Sequence, residues 1–122
     1  MDDEDLKPII TRDLQIVDGS GRRRVWISTE MYCGNPVFTM YDEKGLERVS
    51  IHIDESQAAS IAVLDANGHP VIGIGQSADG RIGIQFSTSD GTPGFVFTIQ
   101  PDGQREMAVV DKAGKTIWRT PE

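Results

Sequence analysis

Two glycine series with a fixed period constrain this chain more than any other feature of its sequence. The first series recurs at intervals of 24, 23, 23 and 23 residues: Gly21, Gly45, Gly68, Gly91 and Gly114. The second recurs every 23 residues, with one glycine replaced by glutamine: Gly34, Gln57, Gly80 and Gly103. Glycine tolerates the positive φ that closes a short hairpin loop. The spacing therefore predicts a 23-residue unit that contains two turns.

Side chains beside the first glycine series strengthen the turn prediction. Four of these glycines close an Asp-x-x-Gly segment, beginning at Asp18, Asp42, Asp65 and Asp111, and the fifth closes Thr88-Ser-Asp-Gly91. An Asp carboxylate can accept hydrogen bonds from backbone N–H groups just ahead of it. Because the carboxylates recur with the period of the unit, we interpret them as turn residues and not as catalytic groups.

Between the turns, apolar and other residues alternate, and this two-residue period is typical of a β-strand. In the first strand of each unit the apolar pairs are Val25/Ile27, Val49/Ile51, Ile72/Ile74 and Phe95/Phe97; in the second strand they are Phe38/Met40, Ile61/Val63, Ile84/Phe86 and Met107/Val109. Leu14/Ile16 and Trp118 add one strand at each end. The sequence thus predicts an all-β fold, an antiparallel meander of ten short strands joined by nine turns.

Such a sheet has one uniformly apolar face and one mixed face. Apolar burial at about 25 cal/mol per Å² is the main driving force of folding, so the apolar face is expected to be covered. Three arrangements satisfy this expectation: closure into a barrel, folding over as a sandwich, or packing against other copies of the chain as a sandwich or prism. The sequence leaves the three open.

Length and composition narrow the class of protein. A chain of 122 residues suits one domain, with residues 1–10 expected as an acidic flexible tail and 11–122 as the β-repeat domain. A net charge of −7 disfavours nucleic acid as a partner. The acidic start and the lack of a long apolar run favour a cytoplasmic protein without a membrane partner. Cys33 is the only cysteine, which excludes an internal disulfide.

We searched the sequence for chemistry and predict no catalytic residue, no metal site and no cofactor. His52 and His69 are interpreted as surface histidines, because no pattern of converging metal ligands accompanies them. The Asp65–Gly68 segment lacks the later ligands of a calcium loop.

Two surfaces remain as candidates for contact with other molecules. The first is a polar and aromatic binding surface, since aromatic residues and arginine often anchor interfaces: Trp26, Tyr41, Arg48 and His52. The second is a close-contact patch that lacks side chains: Gly73, Gly75 and Gly83. Glycine within strands indicates either bending of the sheet or close approach by another group. Both interpretations stay open.

The unit resembles a degenerate repeat of uncharacterised bacterial proteins, of the form apolar-Asp-x-x-Gly-x-x-Arg-apolar-x-apolar. It occurs here in residues 17–27, 41–51 and 64–74, with Arg24 and Arg48 at the basic position and Val71 in their place in the third unit. The resemblance implies a β-hairpin repeat and brings no activity with it.

Two functional hypotheses follow. The first is a non-enzymatic structural or binding module that forms a homo-oligomer by burying its apolar face between copies. The alternative is a small-molecule-binding β-barrel, either a ligand carrier or a cofactor-free cyclase, with apolar side chains lining a cavity near Phe38, Phe86, Phe95 and Phe97.

Overall fold

A computed structural model describes residues 5–121, apart from the side chain of Tyr32, and confirms the all-β prediction. Ten strands follow one another in a single antiparallel sheet whose spatial order is the chain order. Their bounds are β1 Asp13–Val17, β2 Arg23–Tyr32, β3 Asn35–Tyr41, β4 Glu47–Ile53, β5 Ala59–Leu64, β6 Pro70–Gln76, β7 Ile82–Ser87, β8 Pro93–Ile99, β9 Arg105–Val110 and β10 Thr116–Thr120. The ten strands and nine turns expected from the glycine spacing are therefore present.

Eight of the nine turns share one backbone geometry. In the β1–β2 turn the N–H of Gly21 donates to the carbonyl oxygen of Asp18 at 2.9 Å, and the N–H of Asp18 donates to the carbonyl oxygen of Arg22 at 2.9 Å. The other seven turns repeat this pair of bonds. The residue that closes the turn has a positive φ in every case, including Gln57 at 66°. This is the three-residue hairpin loop in which a left-handed residue follows a type I turn.

The β2–β3 turn is the exception. Cys33 and Gly34 both have positive φ, at 54° and 85°, and they alone separate the two strands. Two successive residues of this kind form the two-residue hairpin turn whose twist matches that of the flanking strands.

The register of the strands aligns the apolar residues in two continuous rows on one face. Strand pairing places one residue of each strand opposite its equivalent in the next. Row 1 is Leu14, Ile27, Phe38, Ile51, Ile61, Ile74, Ile84, Phe97, Met107 and Thr120, and row 2 is Ile16, Val25, Met40, Val49, Val63, Ile72, Phe86, Phe95, Val109 and Trp118. We call these twenty residues the apolar face.

Of the three arrangements that the sequence left open, closure of the single chain into a barrel is not the one found. Strands β1 and β10 each pair with a single neighbour, so both are open edges of the sheet. Every strand contacts only the strands next to it, so no other strand lies across either face of the sheet. The described residues contain no helix with the length and apolar character to cross a membrane.

Burial within the single chain is therefore slight. Buried side chains include Ser28, Val37 and Thr39, and all three project from the mixed face. Eight residues of the apolar face, in contrast, keep between 38% and 50% of their surface exposed: Ile16, Ile27, Met40, Ile51, Ile61, Ile74, Phe86 and Trp118. The expectation that the apolar face is covered is not met by any element of the chain itself.

Candidate binding surfaces

An arginine that the sequence analysis did not single out organises the aromatic residues of the mixed face. The guanidinium carbon of Arg23 lies 3.8 Å from the ring centre of Trp26 and 4.7 Å from that of Tyr41. Both distances are within the range of a cation–π contact. The position of the Trp26 ring is also fixed at its polar edge, because its Nε1–H donates a hydrogen bond to the Asp13 carboxylate at 3.0 Å. The run of arginines at 22–24 marks a basic segment in the sequence without indicating which arginine contacts the rings.

The Asp13 carboxylate joins the first two strands on the mixed face. It accepts hydrogen bonds from Trp26 and, at 3.0 Å, from the hydroxyl of Ser28. The Trp26 N–H is the main reason why the pKa of Asp13 lies below its ordinary value, and Gln15 and Ser28 lower this pKa further. The cluster is thus an internally bonded arrangement that positions an indole ring and a guanidinium group on the surface.

Arg48, the third predicted binding residue, ties neighbouring turns together. It occupies a bulge, because Met40 pairs with Val49 while Tyr41 pairs with Glu47. Its Nε donates to the carbonyl oxygen of Leu64 at 2.9 Å, and its Nη1 lies 3.6 Å from the Asp42 carboxylate. The side chain therefore links the β3–β4 turn to the end of β5, and its hydrogen-bonding groups are directed toward the protein.

Arg24 makes the same contacts one unit earlier. Its Nε donates to the carbonyl oxygen of Tyr41 at 3.0 Å, and its Nη1 lies 3.5 Å from the Asp18 carboxylate. The basic position of the repeat is therefore a structural position. An arginine there satisfies a strand-end carbonyl of the next unit and pairs with the aspartate of its own turn.

His52 lies toward the other end of β4 and is separate from the Arg23 cluster. Its ring nitrogens lie 3.2 and 3.4 Å from the hydroxyl of Ser60, directly across the strand pair. A shallow depression of about 420 Å³ next to it is lined by polar and apolar groups that include Ser50, Ala62 and Leu64. The structure thus joins Trp26 and Tyr41 through Arg23, while Arg48 and His52 have partners of their own.

The glycine patch lies where the sequence analysis expected it, on one face of β6 and β7. Gly75 pairs directly with Gly83, and Gly73 lies two residues along β6 from Gly75. A Cβ on Gly75 would lie 2.8 Å from the Cβ of Ser60 and 2.9 Å from the carbonyl oxygen of Ala59. A Cβ on Gly73 would meet nothing within 4 Å.

The two glycines of β6 differ in their surroundings within the chain. Gly75 is required by the close approach of β5, the neighbouring strand of the same chain. Gly73 instead leaves open space, and it forms part of a shallow trough of about 480 Å³ on this region of the sheet.

The acidic turns are bonded to their own backbone. Oδ1 of Asp65 accepts the N–H groups of Asn67 and His69 at 2.9 and 3.0 Å. The Ser89 side chain in the next turn along the same edge is the largest influence on this carboxyl, and together with the two backbone donors it lowers the pKa of Asp65 to about 2. Asp18, Asp42, Asp54 and Asp111 accept the equivalent backbone pair. Their oxygens thus cap the hairpins, in agreement with the turn interpretation.

Nothing in the described part of the chain gathers three or more His, Cys, Asp or Glu side chains in a position to hold a metal ion. Cys33 is exposed at the tip of the β2–β3 hairpin. The barrel interior proposed to lie near Phe38, Phe86, Phe95 and Phe97 does not exist in the open sheet. Phe86 and Phe95 instead contact each other on the apolar face, with ring centres 5.8 Å apart.

The apolar face is itself a candidate contact surface, because no other strand covers it. Each of the two rows occupies about 6.8 Å along ten strands spaced about 4.8 Å apart, so the apolar face covers about 650 Å². Monomeric soluble proteins rarely expose a contiguous apolar patch of more than about 300–600 Å². The apolar face lies just above that range, and larger patches mark sites of contact with another molecule.

Comparison with known protein families finds none that matches this chain, and comparison with curated proteins finds no relative with significant similarity.

Proposed function

We propose that this chain is a non-enzymatic, self-associating β-repeat module whose apolar face packs against the apolar face of a second copy. The observation that carries the proposal is the pair of apolar rows, aligned in register across ten strands and covered by no other strand. Each copy would then supply one layer of a two-layer sandwich, about 10 Å from the other.

The size of the face supports a second copy as the occupant. Two faces of about 650 Å² bury about 1,300 Å² in total, which is within the range of about 1,200–2,000 Å² for stable interfaces. A copy of the same chain offers an equally broad and equally apolar surface, and an isologous contact needs only one such surface per chain. Smaller partners would leave part of the rows in water.

The structural role agrees with what the repeating residues do. The recurring aspartates cap turns, the arginines at the bulges link adjacent turns, and the recurring apolar residues form the rows. The repeat thus encodes a broad, regular sheet. Such a sheet is suited to building a larger assembly from identical copies.

A pair of neighbouring residues on opposite faces provides the test. Phe86 lies in row 2 of the apolar face, and Gln85 precedes it on the mixed face and is exposed. Phe86→Lys puts a charge into the proposed interface, whereas Gln85→Lys puts the same charge on the other side of the sheet. Size-exclusion chromatography with light scattering at micromolar concentration should show an oligomer for the unmodified chain and for Gln85→Lys, and one-chain mass for Phe86→Lys.

Ile51→Lys is a second variant in row 1 and should also yield the one-chain mass. Circular dichroism dominated by β-structure in all variants is required, so that loss of association is distinguished from loss of folding. A one-chain mass for the unmodified protein, or an oligomer that survives both lysine substitutions in the apolar face, would overturn the proposal.

A further inference from the structure

The two open edges of the sheet present different strands of the repeat unit. Strand β10, at one edge, corresponds to the first strand of a hairpin, and β1, at the other edge, corresponds to the second. Strands β2, β4, β6 and β8 each begin a hairpin that β3, β5, β7 or β9 completes through a second-series turn. Strand β10 is equivalent to the strands that begin a hairpin, and it has no partner on its outer side among the described residues. Strand β1 is equivalent to the strands that complete one, and its outer side is likewise unpaired within residues 5–121. The strand type that would come next at each edge is therefore the type found at the other edge.

We propose that β10 of one copy pairs with β1 of a second copy, and that the reciprocal pair closes the two sheets into one continuous ring with the apolar faces inside. This inference rests on the proposed association of apolar faces and adds hydrogen-bonded pairing between the edge strands of the two copies. All even-numbered strands run in one direction and all odd-numbered strands in the other. Pairing β10 with β1 is consequently antiparallel, like every other pair in the sheet.

The internal pairs predict the register of the intermolecular one. In β4 and β5, Val49 lies opposite Val63 and Ile51 opposite Ile61. The equivalent positions at the edges are Trp118 opposite Ile16, Arg119 opposite Gln15, and Thr120 opposite Leu14. This register joins the end of each apolar row to its beginning in the partner copy. No like charges face each other in these three pairs.

Exposure at the edges fits the same arrangement. Ile16 at 49% and Trp118 at 50% are the most exposed large side chains of row 2, and the predicted register makes them direct neighbours. Pro121 follows β10 and has no N–H to donate, so pairing ends at Thr120. The edges thus present short, matching segments.

Alternative edge contacts do not cover the apolar face. If β10 paired with β10 of a second copy, the two sheets would be related by a twofold axis normal to the sheet and would form a wider open sheet. Its apolar face would be twice as large and still in water. Head-to-tail pairing about a twofold axis parallel to the strands buries both faces and removes all four edges.

Cysteine cross-linking between separate variants tests the edge pair. In a Cys33→Ser background, one variant carries Gln15→Cys and the other carries Arg119→Cys. Opposed residues of an antiparallel pair have Cα atoms about 4.5–5.5 Å apart, which is within the range of about 4.4–6.8 Å for a disulfide. The two variants are unfolded and refolded together, and are then oxidised with oxidised glutathione. About half of an equal mixture, the fraction expected for random pairing of the two variants, should shift to a two-chain band on a non-reducing gel.

A matched control replaces Arg119→Cys with Ala108→Cys. Ala108 is the neighbour of Arg119 in β9, one strand further from the edge. It would lie two strand spacings, about 10 Å, from Gln15 of the other copy, which is too far for a disulfide. This mixture should remain as single chains, as should each single variant oxidised alone.

The outcomes separate this inference from the proposed function. Strong cross-linking of either single variant alone, or of the Ala108→Cys mixture, would show a different or non-specific edge contact and overturn the inference. An oligomer by light scattering without the mixed disulfide would overturn edge pairing and leave the packing of apolar faces intact. Masses that rise beyond two chains would overturn the closed ring. A one-chain mass for the unmodified protein would overturn both proposals.

Discussion

The Nε atom of Arg48 donates a hydrogen bond to the carbonyl oxygen of Leu64 at 2.9 Å, across the end of the β4–β5 strand pair. Arg24 makes the equivalent bond to Tyr41. In the third unit Val71 occupies this position, and the contact is missing there. The arginine position of the repeat is thus explained by a backbone carbonyl and a turn carboxylate, both belonging to the same chain.

Substitution at this position should change stability in opposite directions in two units. Arg48→Met retains the aliphatic stem and removes the donors, so we expect a loss of about 1–2 kcal/mol in the free energy of unfolding. Val71→Arg supplies the missing donors near Asp65 and the end of β7, so we expect a gain of about 0.5–1 kcal/mol. Urea denaturation at fixed protein concentration measures both. Val71→Met is the control for side-chain length, and an equal gain from it would contradict the hydrogen-bond explanation.

The two glycines of β6 should respond differently to alanine. Gly73→Ala adds a Cβ in open space and removes the extra backbone freedom of glycine, so we expect a gain of about 0.5–1 kcal/mol. Gly75→Ala places a Cβ against Ser60 and Ala59, so we expect a loss of about 1–3 kcal/mol. Thermal unfolding of the two variants side by side checks the contrast. Equal effects would show that the close approach of β5 does not determine the choice of glycine.

Gln57 is the one residue of the second glycine series with a Cβ in the left-handed region. The left-handed conformation costs a residue with a side chain about 1–2 kcal/mol, and glycine in turn loses about 0.5–1 kcal/mol of extra freedom on folding. Gln57→Gly should therefore stabilise the protein by about 0.5–1 kcal/mol. Gly103→Gln, at the equivalent turn, should destabilise it by a similar amount. Opposite or absent shifts in the urea midpoint would argue against a conformational origin.

Acid should weaken the turns in a narrow pH range. Asp65 and Asp90 have a pKa of about 2 in the folded chain, compared with an ordinary value of 3.8. A carboxyl whose pKa is lowered by folding stabilises the folded state above the ordinary pKa, and this stabilisation is lost as the pH falls toward the folded pKa. The free energy of unfolding should therefore be flat above about pH 5 and should decrease between about pH 4 and pH 2.

Asp65→Asn tests the origin of this dependence. The amide oxygen can still accept from the backbone but does not titrate, so the decrease between about pH 4 and pH 2 should become shallower. Asn67→Ala changes an uncharged residue of the same turn and should leave the slope unchanged. An identical slope for Asp65→Asn and the unmodified protein would exclude Asp65 as a source of the acid sensitivity.

Several features of the fold could be predicted from local sequence because they depend on local chemistry. Gly21 and Asp18 define a hairpin turn within five residues, and the spacing of such turns determines the number of strands. The position of Gln57 in the glycine series likewise predicts its turn. The Arg23 contacts with Trp26 and Tyr41 could not be predicted, because they depend on the bulge that turns successive arginines in different directions.

The sequence by itself determined ten antiparallel strands, their turns and a single apolar face, because hairpin geometry and alternation of side chains act over short stretches of chain. Only the tertiary structure decided that the sheet stays open, with β1 and β10 each paired on one side and no other strand across the apolar face. The physical reason is that closure depends on the curvature accumulated over all ten strands. No local residue pattern specifies this total curvature.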